Sequence, residues 1–309
     1  MKRTILIMFL ITMVFIFDTD ILNDSIYNIY YKIINFNNEK IISNKDLLNK
    51  NEYYKENLSS YIKEYENDYV YNKNDLINTY YTLINNGYDG ITFYCDDSYE
   101  NCLEDIKELD NEDDNLTHIN QLVSVYNSYQ SIKSIYSSTL RVNVEIERRY
   151  TDEDIIRINN EINRIMNKLN INYYEKIEDK IKLLHDYLAD INNYDLERAN
   201  NGESIYNSDT AIGALFEGKA VCSGYTDAMA LFLDKLSLKN VRIASNNHVW
   251  NAVFINNEWK HIDLTWDDPV VSDGSNVIQY DYFLISTDSL KKKNDTDHII
   301  NEKIYDFIK

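Results

Sequence analysis

The sequence has almost nothing from which to build a linker: one proline, Pro269, and seven glycines in 309 residues. No proline- or glycine-rich stretch marks a boundary, so any boundary must come from a change of pattern. Basic residues are scarce too. Against 51 aspartates and glutamates stand 31 lysines and arginines, a formal net charge of −20, and so little positive charge cannot neutralise phosphates, which excludes nucleic acid as a partner. There are three cysteines, with no second pair and no histidine in register for a zinc site. Glycine-rich phosphate loops, metal-ligand clusters and cofactor motifs are missing as well, so neither a metal nor a cofactor is expected. The apolar run from Thr4 to Phe17, behind Met1-Lys2-Arg3, is shorter than the about 20 residues of a spanning helix and suits the apolar region of a secretory signal. No small-x-small cleavage site follows, so residues 1–17 are expected to be a signal peptide or an uncleaved anchor. The protein is then secreted or extracellular and membrane-anchored, touching the membrane only through that segment.

What is present is an apolar content of 44%, enough for a real core, and one stretch rich in chemistry, Gly218 to Val270. Tyr225, Ala228, Met229, Phe232 and Leu236 recur at helical spacing, and Ala230, Leu231 and Leu233 fill the neighbouring faces. Cys222 opens this helix, where unpaired N–H groups and the positive end of the helix dipole favour a thiolate. Gly224 leaves room for another backbone or a substrate. Two strand-like runs follow, His248 to Ile255 and Glu258 to Trp266, joined by Asn256-Asn257, a pair that tolerates the positive φ of a tight hairpin. A two-residue loop puts Ile255 opposite Glu258, Trp250 opposite Asp263 and His248 opposite Thr265. His248 and Asp263 then share a face as diagonal neighbours roughly 7 Å apart, and a one-residue slip would separate them.

A cysteine, a histidine and an aspartate in this order can perform acyl transfer. The imidazole activates the thiol and later protonates a leaving amine, while the carboxylate fixes the tautomer and orientation of the ring. The N–H of Cys222 is the natural first oxyanion donor. His261, on the same predicted face, is not required by this chemistry and is expected to be structural. Trp250 and Trp266 are, with Gly224, candidates for lining the substrate cleft, with aromatic core packing the favoured reading of each tryptophan.

The segments Gly-x-x-Val-Cys-x-Gly-Tyr, His-x-Trp-Asn and Trp-x-His-x-Asp-x-Thr-Trp-Asp-Asp-Pro resemble the transglutaminase-like superfamily, in its bacterial exported branch. Similarity extends to Leu184-His185-Asp186-Tyr187-Leu188, Tyr282-Phe283 and Asp297-His298. The resemblance implies a papain-like α+β core in which a helix bearing Cys222, the nucleophile, packs on an antiparallel sheet bearing His248, the general base and acid, and Asp263, the orienting carboxylate. It also implies a thioester enzyme acting on a protein or peptide amide at the cell surface, either a protease- or amidase-type hydrolase or a cross-linking acyltransferase. With no lysine-guiding feature evident, hydrolysis is favoured. The rival expectation is a non-catalytic surface-binding module that retains the fold.

Residues 18–136 carry no catalytic motif and are expected to form an α/β accessory domain, with 137–309 the catalytic domain. Helices are expected over Asp75 to Asn86, Glu100 to Leu109 and Ile119 to Tyr136, and a strand over Gly90 to Cys95. Cys95 and Cys102 are expected either to form a disulfide or to remain two buried thiols. Leu140 to Ile146 alternates as a half-buried strand. Thr151 with Asp154 resembles a capping box that opens the first of two amphipathic helices leading towards Cys222.

Overall fold

The computed structural model describes residues 50–111, 114–137, 139–270 and 277–309. The expected signal or anchor over 1–17 and the start of the accessory region lie outside the described residues. Beginning at Tyr69 the order is β1 (Tyr69–Val70), α1 (Lys73–Asn85), β2 (Gly90–Cys95), α2 (Cys102–Asp110), α3 (Asp114–Leu122), β3 (Tyr129–Tyr136) and β4 (Arg141–Arg148). Local chemistry sets several of these bounds. The Asn72 side chain accepts from the N–H groups of Asn74 and Asp75 and so starts α1, and Gly87, at φ +70°, turns the chain after it. Cys95 and Cys102 are joined in a disulfide, which ties the end of β2 to the start of α2.

The helix expected from Ile119 to Tyr136 stops at Leu122. Ser124 caps one turn of 3-10 helix over Val125–Asn127, and residues from Tyr129 then pair along β4 as an antiparallel strand. Pairing with a partner further along the chain decides a segment whose own propensity is ambiguous. The boundary expected between residues 136 and 137 accordingly falls in the turn of this hairpin. The two parts are also joined in one apolar core, which runs from Ile62, Leu76 and Phe93 to Trp250, Trp259 and Tyr305. Arg242, buried, forms an ion pair with Asp227 and donates to the carbonyls of Asn120 and Val123.

After β4 come α4 (Asp152–Lys168), α5 (Ile177–Ile191), β5 (Asn193–Tyr194), α6 (Leu196–Asn201), β6 (Lys219–Ala220), α7 (Cys222–Lys235), β7 (Asn240–Ala244), β8 (Val249–Ile255), β9 (Glu258–Ile262), α8 (Leu264–Asp267), β10 (Phe283–Ser286) and α9 (Thr287–Lys293). The capping box of Thr151 and Asp154 is formed, and Ile155, Ile158, Ile162 and Ile165 make the buried stripe of α4. Among the described residues these strands make two four-stranded sheets, in the orders β1-β2-β4-β3 and β10-β9-β8-β7, and a two-stranded one of β5 and β6. The second is antiparallel throughout. Helix α7, buried from Gly224 to Leu233, packs on β7 and β8. The fold is therefore α+β in the papain-like manner, with the cysteine-bearing helix laid on an antiparallel sheet.

Candidate active site

Cys222 is the first residue of α7, half-exposed and outside the disulfide. The two-stranded pairing of β5 with β6 sets Tyr194 beside Ala220, and the Val221 N–H donates to the Ser208 carbonyl at 2.8 Å. Together these hold the chain that enters α7. The backbone approach that Gly224 permits is taken by the protein itself. A Cβ there would meet the carbonyls of Ser208 and Thr210, so Gly224 does not line a cleft.

The hairpin behaves as its spacing requires as far as Ile262. Asn256 and Asn257 have φ of 51° and 66°, Ile255 pairs with Glu258, and the register continues to Asn251 opposite Ile262. There β9 ends, short of the Trp266 expected. Asp263 turns its Oδ1 to the N–H groups of Thr265 (2.9 Å) and Trp266 (3.2 Å), capping α8, so Thr265 does not pair with His248. The competing side-chain bond to the backbone is what terminates the strand. Even parity nonetheless leaves His248 and Asp263 on one face, and His248 Nε2 lies 2.5 Å from Asp263 Oδ2.

Cys222 lies near enough to His248 to favour its protonated form. With Nε2 taken by Asp263, Nδ1 is the nitrogen left to serve a thiol. Burial on its own would lower the pKa of His248, but the Asp263 carboxylate, with Cys222, holds it up to about 10. For Asp263, burial would raise the pKa, and the imidazoles of His248 and His298 instead hold it down to about 2.

Several neighbours were not identifiable from sequence. His298, noted there only within a resemblance, directs Nε2 at Asp263 Oδ2 (2.7 Å) and Nδ1 at Asp295 Oδ1 (2.7 Å). Its ring stacks on Tyr282 at 4.7 Å between centroids. Beyond that resemblance the sequence offers the three-residue spacing of Asp295 and His298, which says nothing of Asp263. Tyr194 comes near enough that the charges of Cys222 and Asp263, after burial, push its hydroxyl pKa up. His261 accepts from Trp250 Nε1 (3.0 Å) and meets Thr287 Oγ1 (3.1 Å); burial above all drops its pKa to about 3, so it is neutral packing within the sheet.

The cleft-lining expectation fails for Trp250, which is fully buried and stacks parallel to His248 at 6.0 Å. It backs the imidazole instead. Trp266 stays 38% exposed and touches Tyr282 and His298. A polar groove of about 900 Å³ is lined by residues of both halves, among them Asn120, Arg149, Asp209, Thr210 and Ser245. None of Cys222, His248 and Asp263 lines it; the Thr210 carbonyl lies against Gly224, and the Ser245 N–H donates to the His248 carbonyl at 2.9 Å. Among the described residues, His248, Asp263 and His298 are a group whose ligand atoms, within 4.8 Å of one another, could hold a metal ion. Those atoms already bond one another, so a metal would have to displace the histidine–aspartate hydrogen bonds.

No family model matches the chain, and no curated protein matches it. Among solved structures it is similar to a transglutaminase (TM-score 0.35, 17% identity, 45% of this chain and 45% of that one) and to a proposed cysteine protease from Cytophaga hutchinsonii (TM-score 0.27, 13% identity, 48% and 65%). The chain thus spans less than half of the first and just under two thirds of the second. Likenesses so partial leave the chemistry of this site to its own geometry.

Proposed function

We propose that the chain is a thiol acyl-transfer enzyme that cleaves an amide through a thioester on Cys222. The carrying observation is the hydrogen bond of His248 Nε2 to the Asp263 carboxylate, with Cys222 near enough to the same imidazole to raise its proton affinity. In the first half-reaction His248 Nδ1 takes the thiol proton and Sγ attacks the amide carbonyl. The oxyanion is received by the Cys222 N–H, which as the first residue of α7 has no acceptor within the helix. The carbon–nitrogen bond breaks as His248 returns the proton to the leaving amine, and the thioester remains. In the second, His248 takes a proton from the acceptor, which attacks the thioester and releases Cys222 as the thiol. Asp263 keeps the imidazole oriented through both steps and balances its positive charge.

The acceptor we propose is water, which makes the enzyme a peptidase or amidase; a lysine amine in its place would make a cross-linking transferase by the same first step. A protein or peptide substrate is part of the proposal, since its amide is the group a thioester mechanism cleaves. An exported setting is part of the proposal, supported by the disulfide and by the basic, then apolar, start of the chain. Among the described residues, no helix is long and apolar enough to cross a membrane.

The test is iodoacetamide modification across pH of the wild type, Cys222→Ala and His248→Ala, followed by peptide hydrolysis against amine incorporation. Selective, His248-dependent alkylation of Cys222 is expected near neutral pH. Reaction at the rate of an ordinary thiol, indifferent to His248, would end the enzyme reading.

A further inference from the structure

Asp263 is held by more groups than its part in the proposed reaction requires. Its Oδ1 accepts two backbone N–H groups and its Oδ2 faces two imidazoles, His248 at 2.5 Å and His298 at 2.7 Å. His298 is itself enclosed. Its ring stacks on Tyr282 and meets the faces or edges of Trp250 at 4.9 Å and Trp266 at 5.6 Å, and only 6% of the residue is exposed. The segment carrying it is pinned on two sides. Asp295 Oδ1 accepts the His298 backbone N–H at 2.9 Å, and the Ser245 hydroxyl, in the loop that leads into His248, donates to the Asp297 carbonyl.

Both ring nitrogens of His298 point at carboxylates. A carboxylate accepts and does not donate, and a neutral imidazole carries a single N–H. The two bonds are complete only with one proton more than a neutral ring and two carboxylates supply. A buried proton shared in this way offsets part of the negative charge that Asp263 presents to His248.

We propose that His298 is a positioning residue for the Cys222–His248 pair: acting through Asp263 and fixed by Asp295, it sets the carboxylate's orientation and moderates its pull on the His248 proton. This rests on the reading of Cys222, His248 and Asp263 given above. The balance matters because His248 must both take a proton and give it to a leaving amine, and an unopposed buried carboxylate would favour only the first. The charged and titratable groups around His298 are few. Asp295 lies on its own segment, Asp263 at the start of α8, His248 at 5.2 Å before β8, and Tyr282 under its face, with Lys293 of α9 over that same ring at 4.2 Å. His261 of β9 senses its charge.

The experiment uses the full chain as wild type, His298→Gln and Asp295→Asn, each checked for folding by thermal melt. Glutamine keeps a donor towards Asp263 but cannot carry the second proton. Asparagine at 295 leaves every ring contact of His298 in place, so it gives a result even where the first variant packs poorly. The readout is the pH dependence of Cys222 alkylation, in which loss of the His248 proton is a step, alongside amide turnover. In both variants that step should move to higher pH by roughly half a unit or more, a threefold change in the proton equilibrium. Turnover should fall while KM holds. A folded pair of variants whose step coincides with that of the wild type would overturn the proposal. If the wild type itself shows no His248-dependent step, the proposed function fails first and this role falls with it.

Discussion

Replacing Asp263 by asparagine removes a charge and leaves almost all of the shape. Asparagine is as good an N-cap as aspartate, so α8 keeps its bonds from Thr265 and Trp266 if the amide oxygen takes the place of Oδ1. That orientation turns the –NH2 towards Nε2 of both His248 and His298. Each must then offer a lone pair, which puts the His248 proton on Nδ1, which then cannot accept the thiol proton. The size of the effect follows from the same contacts. With the carboxylate His248 is held up to about 10, and without it burial takes the ring below its ordinary 6.5. A difference of at least 3.5 units, from about 10 less 6.5, corresponds to the order of 5 kcal/mol at ~1.4 kcal/mol per unit. Since the amide and the packing of Trp250 still hold the ring, a fall of about 10²- to 10³-fold in Cys222 alkylation near pH 7 is expected, or roughly 3 to 4 kcal/mol. Alkylation rates with iodoacetamide between about pH 6 and 8, with the His248 ring followed by NMR titration, measure it directly. A folded Asp263→Asn protein alkylated at the wild-type rate, with an unmoved His248 titration, would refute the reasoning.

Three further outcomes are expected. Asp263, held near 2 against an ordinary 3.8, contributes stability that is full above 3.8 and lost as pH falls through about 2; His248, held near 10, contributes stability that is full below 6.5 and lost as pH rises through about 10. The melting-temperature gap between wild type and Asp263→Asn should therefore narrow on both sides, and a gap constant across either range would contradict the ion pair. Gly224→Ala drives a methyl group into the carbonyls of Ser208 and Thr210 and should cost about 1 to 3 kcal/mol by denaturant unfolding; a neutral result would mean the loop yields freely. Opening the Cys95–Cys102 disulfide by the double serine substitution releases a closure of sequence separation 7, worth roughly 2 kcal/mol, and a reductant should lower the wild-type melting temperature by a similar amount while leaving the variant unchanged.

The site was legible where its geometry is local. An asparagine pair at Asn256-Asn257 fixes an even loop, an even loop fixes parity, and parity puts His248 and Asp263 on one face whatever surrounds them. The capping box at Thr151 and the α4 stripe were legible for the same reason, since each is set by residues within a turn or two. The end of β9 was not, although its cause lies only two and three residues away. Period-two alternation continues through Thr265, and nothing in that pattern reveals that the Asp263 side chain will cap α8 with one oxygen while the other serves His248.

What escaped the sequence is what distant segments decide together. Tyr129 to Tyr136 has no strong pattern of its own, so its state is chosen by β4, and that choice moves the expected boundary from between two domains to the turn of a hairpin. Alternation places Trp250 on the His248 face, which left a cleft position open beside the core packing favoured for it; that face is closed by residues 295–298, from a distant segment. The same closure gives Asp263 its second imidazole. Two consequences of one long-range contact, a tryptophan removed from solvent and a carboxylate shared between two rings, thus define how dry and how strongly polarised the surroundings of His248 are. A sequence motif names the groups that react, but this packing sets the proton affinity with which they would do so.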